Sequence, residues 1–185
     1  VQVSGIADGR PVDFTTDIVP ILSRFGCNSG GCHGKAGGQN GFQLSLFGFD
    51  NDFDYDAIAK EARGRRIFSA ATGWSMLVAK ATGRSPHGGG SRFGVDSEPA
   101  QLIDRWVELG APASSSDSPR VVKLHINPAE RVLRREGQQQ LAITAEYSDG
   151  SRRDVTRQAE FSSNLDPVAG VDHDGFVSAT GQSGE

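Results

Sequence analysis

Two thiols and an imidazole stand together in Cys27-Asn28-Ser29-Gly30-Gly31-Cys32-His33. These are the only cysteines of the chain, and the histidine follows the second directly. Thiols so placed suit covalent attachment of a haem. Two vinyl groups on one porphyrin edge take the sulfurs as thioethers, and the adjacent imidazole reaches the iron as its proximal ligand. The usual spacing is C-x-x-C-H; here two further residues separate the cysteines, a C-x4-C-H arrangement. Asn28, Ser29, Gly30 and Gly31 are small and turn-forming, so the longer loop bulges without strain. Three other readings compete. A Cys27–Cys32 disulfide closes a short loop but leaves His33 without a role. A zinc site needs about four ligands, and adjacent Cys32 and His33 fit one tetrahedron awkwardly. Chance adjacency is the third.

A second axial ligand is sought next, because its identity sets the redox potential. The first half of the chain holds one other histidine, His87, and one methionine, Met76. His87 stands in Ser85-Pro86-His87-Gly88-Gly89-Gly90. Proline constrains that loop, and the glycines let backbone approach a large planar ligand. Met76 lies in a helical apolar stripe, where methionine is ordinarily core packing. His87 is therefore the expected distal ligand and Met76 the alternative. Two imidazoles imply a low potential, since they donate more to the ferric state than a thioether does. His125 and His173 read as ordinary strand or surface residues. Asp50, Asp52, Asp54 and Asp56 read as a solvated turn leading into a helix. A calcium site is the weaker reading there, because the stretch lacks the glycine and terminal glutamate of an EF-hand loop.

These groups need elements to hold them. Thr15 or Thr16 is placed to cap a short helix, with Asp17 in its first turn and Pro20 near its start. Ile18, Ile21, Leu22 and Phe25 form its apolar face, and Gly26 ends it. An extended lead precedes it. Phe42, Leu44, Leu46, Phe47 and Phe49 make a dense apolar patch fit to wall a haem. A second helix is expected over 54–63, with Ile58 and Ala62 inward, and a short one over 74–80. Ser97 is the expected cap of a last helix, with Leu102, Ile103, Trp106 and Leu109 on one face and Gly110 at its end.

Composition shifts near residue 115. Eighteen of the 24 glycines precede that point, and Ala113-Ser114-Ser115-Ser116-Asp117-Ser118-Pro119 reads as a linker. Beyond it the expected strands are Val121 to Ile126, Gln140 to Tyr147 and Phe161 to Ser163. Asp149-Gly150 and Asp174-Gly175 mark tight turns. The expected domains are 1–113, a haem domain, 114–119, a linker, and 120–185, a β-sandwich.

The 185 residues carry 36% hydrophobic and 23% charged side chains and a net charge of −4. That is an ordinary soluble composition. No apolar run approaches the roughly 18–20 residues of a membrane-spanning helix. Both signs of charge are mixed through both halves, which argues against nucleic acid. Covalent haem attachment belongs to an oxidising compartment, so a periplasmic or cell-surface location is expected, with a leader or anchor removed.

Residues from about Val12 to Pro112 resemble the planctomycete-type cytochrome c domain family. The stretches that carry the resemblance are Val12-Asp13-Phe14, Asp17 to Leu22, Cys27 to Gly34, Ser75 to Gly83, and Leu102 to Pro112. Where much of that family has a Met-Pro segment, this chain has Pro86-His87-Gly88-Gly89, which supports His87 over Met76. From about Pro119 the chain looks like a bacterial Ig-like domain of group 2, through Leu141 to Tyr147, Ser148 to Ser151, Arg153 to Thr156 and Val171 to Gly175. The chain stops at Gly184-Glu185, where that family runs on into another strand. The resemblance therefore implies a mainly α cytochrome c-like domain with Gly-rich loops, followed by an all-β Ig-like sandwich cut short at its last strand. An exposed strand edge would then recruit a second copy. The implied function is electron transfer by haem c, without enzymatic chemistry and with unnamed redox partners. A haem-based sensor with an open sixth site, or a haem-stapled adhesion module of a membrane-associated parent, are the alternatives.

Overall fold

A computed structural model describes residues 10–184. It divides the chain into two compact units, Val1–Ser118 and Pro119–Glu185. The extended lead expected at the start of the chain falls largely in residues 1–9, outside the described residues.

The first unit holds four α-helices among the described residues: α1 (Val19–Arg24), α2 (Asn51–Tyr55), α3 (Met76–Ala81) and α4 (Glu98–Glu108). Only α4 exceeds six residues. Single π and 3-10 turns and long irregular stretches join them. The entry to α1 is capped by Asp13, not by Thr15 or Thr16. The Asp13 carboxylate accepts from the Thr16 amide, and a π-helical turn, Phe14–Ile18, precedes α1. Asp17 is buried there and takes both guanidinium nitrogens of Arg10 at 2.6 Å. α2 begins earlier than expected because Asp50 caps it, accepting from the Phe53 amide. Its continuation, Asp56–Lys60, ends where Glu61 goes extended; Ala62 beyond it is left-handed (φ +52°) and exposed rather than inward.

The core gathers around α4. Ala100, Ile103, Trp106 and Val107 are sealed from solvent, together with Phe14, Ile18, Leu44, Ile58 and Val78. The Trp106 ring meets Phe14 at 5.4 Å and Tyr55 at 6.4 Å, and its Nε1 donates to the Pro112 carbonyl at 2.9 Å. Leu109, expected on this face, is 54% exposed. Leu46, Phe47 and Phe49 also point outward, Phe49 being 93% exposed. Gly48, packed so that a Cβ would meet Val19 at 2.5 Å, turns the chain there and throws both phenylalanines off the core.

The second unit holds two three-stranded antiparallel sheets. One has the order β1 (Val121–Asn127), β3 (Ala142–Tyr147), β4 (Arg152–Asp154); the other has β2 (Gln138–Gln140), β6 (Phe176–Ala179), β5 (Ala169–Val171). In β3 the alternation of period two buries Ile143, Ala145 and Tyr147. Asp149-Gly150 makes the β3–β4 turn, with the Gly150 amide donating to the Tyr147 carbonyl at 2.9 Å. Phe161 to Ser163 is not a strand. Phe161 instead packs its ring under Gly175, where a Cβ would lie 2.7 Å from it.

This architecture corrects the expected fold class. Helix of all kinds makes up 27% of the described residues and strand 16%, so the molecule is not a mainly α domain followed by an all-β sandwich. In the first unit, left-handed backbone at Gly26 and Gly83 follows the ends of α1 and α3, each only six residues long. In the second unit, a cleft of about 530 Å³ lies between the sheets, and Leu124 and Ile126 on its β1 side stay 61% and 46% exposed. The strands are too short to close over it.

Candidate functional site

Cys27 is delivered by the way α1 ends. Gly26 is left-handed (φ +67°); its amide donates to Ser23 O at 2.9 Å, and the Cys27 amide donates back to Leu22 O at 2.8 Å. This double closure is the Schellman pattern, and it uses up orphan carbonyls of the last turn. The chain then reverses tightly. Ser29 O accepts from both Cys32 N and Gly34 N at 3.0 Å, and His33 N donates to Cys27 O at 3.0 Å. A Cβ at Gly34 would lie 2.0 Å from Asn28 O, so the reversal admits only glycine there. Asn28 is more than a turn former. It is fully buried, its Nδ2 donates to Ser23 Oγ at 2.9 Å, and its carbonyl accepts from Phe47 N.

Neither cysteine forms a disulfide. Burial pushes the Cys27 thiol up to about 11, while Cys32 Sγ accepts from Arg92 Nη2 at 3.2 Å. His33 leans on the Phe42 ring, with centroids 4.5 Å apart, and its Nδ1 lies 2.9 Å from the Phe42 carbonyl. Burial lowers its pKa, the carbonyl partner opposing this. A neutral imidazole that donates Nδ1–H to a carbonyl keeps its Nε2 lone pair free for a metal.

His87 repeats that arrangement on a loop. Its Nδ1 lies 3.0 Å from Gly90 O, and Gly90 N donates to His87 O at 2.9 Å. The loop is tied to α3 twice: Lys80 Nζ donates to Pro86 O and Ser85 N to Ala79 O, both at 2.9 Å. The His33 and His87 ring centroids are 6.1 Å apart with planes 5° from parallel. Met76, the first residue of α3, lines the same cavity and is half-buried.

The cavity measures about 400 Å³ and is lined by both cysteines and both histidines. Leu22, Phe42, Leu44, Leu77, Phe93 and Ile103 form its apolar wall. Of the aromatic patch expected as that wall, only Phe42 and Leu44 contribute. Phe93, set against Phe25 at 4.9 Å, takes the place of Phe47 and Phe49. The charged lining is all cationic: Arg65, Arg66, Lys80 and Arg92, with no carboxylate among the lining residues. A flat apolar ring bearing two carboxylates and an iron fits this set of donors, walls and charges. Sequence spacing offered no way to find Phe93 or the arginines, which come from separate loops.

No group of three or more His, Cys, Asp or Glu is placed to hold a metal ion among the described residues. In the acidic stretch Asp50 caps α2, Asp54 is buried and accepts from Ser45 N and Oγ, and Asp56 pairs with Lys60. His125 lies in β1 of the second unit, 3.0 Å from Glu146. No protein-family model matches the chain, and no curated protein matches it either.

Proposed function

We propose that the first unit is an electron-transfer module of the c-type cytochrome kind, with haem c held by Cys27, Cys32, His33 and His87. The observation that carries this reading is the pair of near-parallel imidazoles 6.1 Å apart on a cavity that also holds both thiols. The haem, when bound, supplies a one-electron ferric/ferrous couple. Cys27 and Cys32 tether its vinyl edge. His33 and His87 each offer Nε2, because each commits Nδ1 to a backbone carbonyl; those carbonyls fix ring orientation and strengthen the donor. Leu22, Phe42, Leu44 and Phe93 keep water from the reacting centre. If His33 and His87 both bound the iron, the chain would leave no place there for a substrate, and the module would pass electrons rather than transform a molecule. Two imidazoles favour a low potential. The partners in this reading are redox proteins, and the compartment is periplasmic or cell-surface, where thioethers are formed. No helix among the described residues is long and apolar enough to cross a membrane.

The test is expression alongside a haem-attachment system in an oxidising compartment. The expected protein retains haem through acid–acetone extraction, gives a haemochrome spectrum in pyridine, and stains for haem on a denaturing gel. Replacing both cysteines with serine removes the stain, and His87→Ala moves the spectra toward high spin. A wild-type protein that leaves the same host without haem refutes the proposal. A His87→Ala variant that stays low-spin refutes the distal assignment and moves it to Met76.

A further inference from the structure

The cavity carries more positive charge than the iron ligands explain, and its four cations are not equivalent. Arg66 is buried and fully employed: its guanidinium donates to Ala57 O and Gly41 O at 2.6 Å, lies 3.5 Å from Glu61, and covers the Phe42 ring at 4.5 Å. It is a brace between loops. Lys80 is engaged with Pro86 O and holds the His87 loop. Arg92 touches Cys32 Sγ, which places it at the edge where the thioethers form. On a haem the two carboxylates lie on the pyrroles across from the vinyl-bearing pair, so a side chain at the thioether edge is at the wrong end for them.

Arg65 remains. Its backbone is held by its amide to Ala62 O and by the anchored Arg66 that follows. Its exposed side chain lines the cavity mouth, and among the described residues no carboxylate pairs with it. We infer that Arg65 is the carboxylate anchor of the site, the residue that takes a porphyrin propionate and fixes which way round the ring enters. This rests on the haem reading above. An arginine suits the task because its fork matches a carboxylate with two parallel hydrogen bonds. An anion there also relieves the repulsion between the neighbouring Arg65 and Arg66 guanidiniums.

The test compares wild type, Arg65→Gln, Arg65→Lys and Arg92→Gln as haem-loaded full chains. Two readouts are used: the propionate bending band in the resonance Raman spectrum and the midpoint potential by redox titration. Arg65→Gln is expected to shift the band to lower frequency and to lower the potential, since an uncompensated carboxylate favours ferric iron. Arg65→Lys restores the potential in part but not the band, because an ammonium lacks the fork. Arg92→Gln leaves the band unmoved. An Arg65→Gln protein with wild-type band and potential overturns the inference, as does a band that moves with Arg92→Gln instead. A haem stain on wild-type protein in the same gel separates these failures from failure of the haem reading, which removes both together.

Discussion

Trp106, Phe14, Ile18 and Ile103 of the first unit are sealed from solvent although most of their unit is irregular backbone. In the second unit, where paired strands carry the chain, the buried apolar side chains among the described residues are Ile143, Ala145 and Tyr147. Regular hydrogen bonding and a sealed core are thus separable. A sheet satisfies backbone donors and acceptors along its own ladder and leaves one face to be covered. In the second unit the partner sheet stands off across a cleft. The first unit satisfies its loops piecemeal: Asp13 and Ser45 take amides of nearby turns, and buried Arg66 donates to carbonyls of two separate segments, at Ala57 and Gly41. The unit with less regular structure is therefore the one able to hold several loops rigidly around a hole, and the chemistry-bearing residues are in it.

This contrast breaks most sharply at Trp106. Trp106→Ala removes a fully buried ring with aromatic neighbours on two sides and is expected to cost about 3–5 kcal/mol. Urea unfolding of the whole chain, followed by near-ultraviolet dichroism and by an NMR probe in β3, should show the first transition fall steeply and the second stay put. If both move together, the two units share a single cooperative core and the contrast drawn here fails.

Acid should act on Asp54 and Glu146 with opposite sign. Burial raises the Asp54 pKa, its bonds from Ser45 only partly opposing. The folded chain then holds that proton more tightly than the unfolded chain, so the stability tied to Asp54 is present at low pH and lost as pH rises through its folded pKa. Glu146 is held below the usual glutamate range, first by its hydrogen bond with His125 and then by Arg152. Its contribution is present above the ordinary glutamate pKa and lost as pH falls through the lowered one. A carboxyl-carbon NMR titration should place Asp54 above ordinary aspartate and Glu146 below ordinary glutamate. Shifts in the same direction would remove the distinction.

The smallest effect is expected at Phe47. It is 60% exposed with left-handed backbone (φ +53°), a conformation costly for any residue with a Cβ. Phe47→Gly should raise the midpoint of the first transition by the equivalent of about 0.5–1 kcal/mol. A loss instead would mean that the exposed ring has a packing role.

Much of the site was legible because it is local. Cys27, Cys32 and His33 are contiguous, the α1 terminus is written in Leu22 to Gly26, and His87 is marked by the proline and glycines around it. The α4 stripe is legible for the same reason: periodicity needs no partner to be seen. Helix extent was not legible, because the capping groups are side chains several residues away from the propensity signal. Asp50 and Asp13 win over the nearer candidates by reaching a free amide.

What the sequence alone determined is the inventory: two thiols, a following imidazole, one further histidine and one methionine in the same half, and a composition break near residue 115. Only the tertiary structure decided how that inventory is used. It brought His33 and His87 to 6.1 Å across 53 intervening positions and supplied Phe93, Arg65 and Arg92 from other loops. It turned Phe47 and Phe49 outward, and it accounted for the long spacing between the cysteines. Asn28 is drawn into the core by Ser23 and Phe47, so the loop needs extra length before Cys32 can return to the cavity. The physical reason is range: residue type and spacing encode bonds along the chain, whereas a cavity is defined by side chains that meet only when distant segments pack.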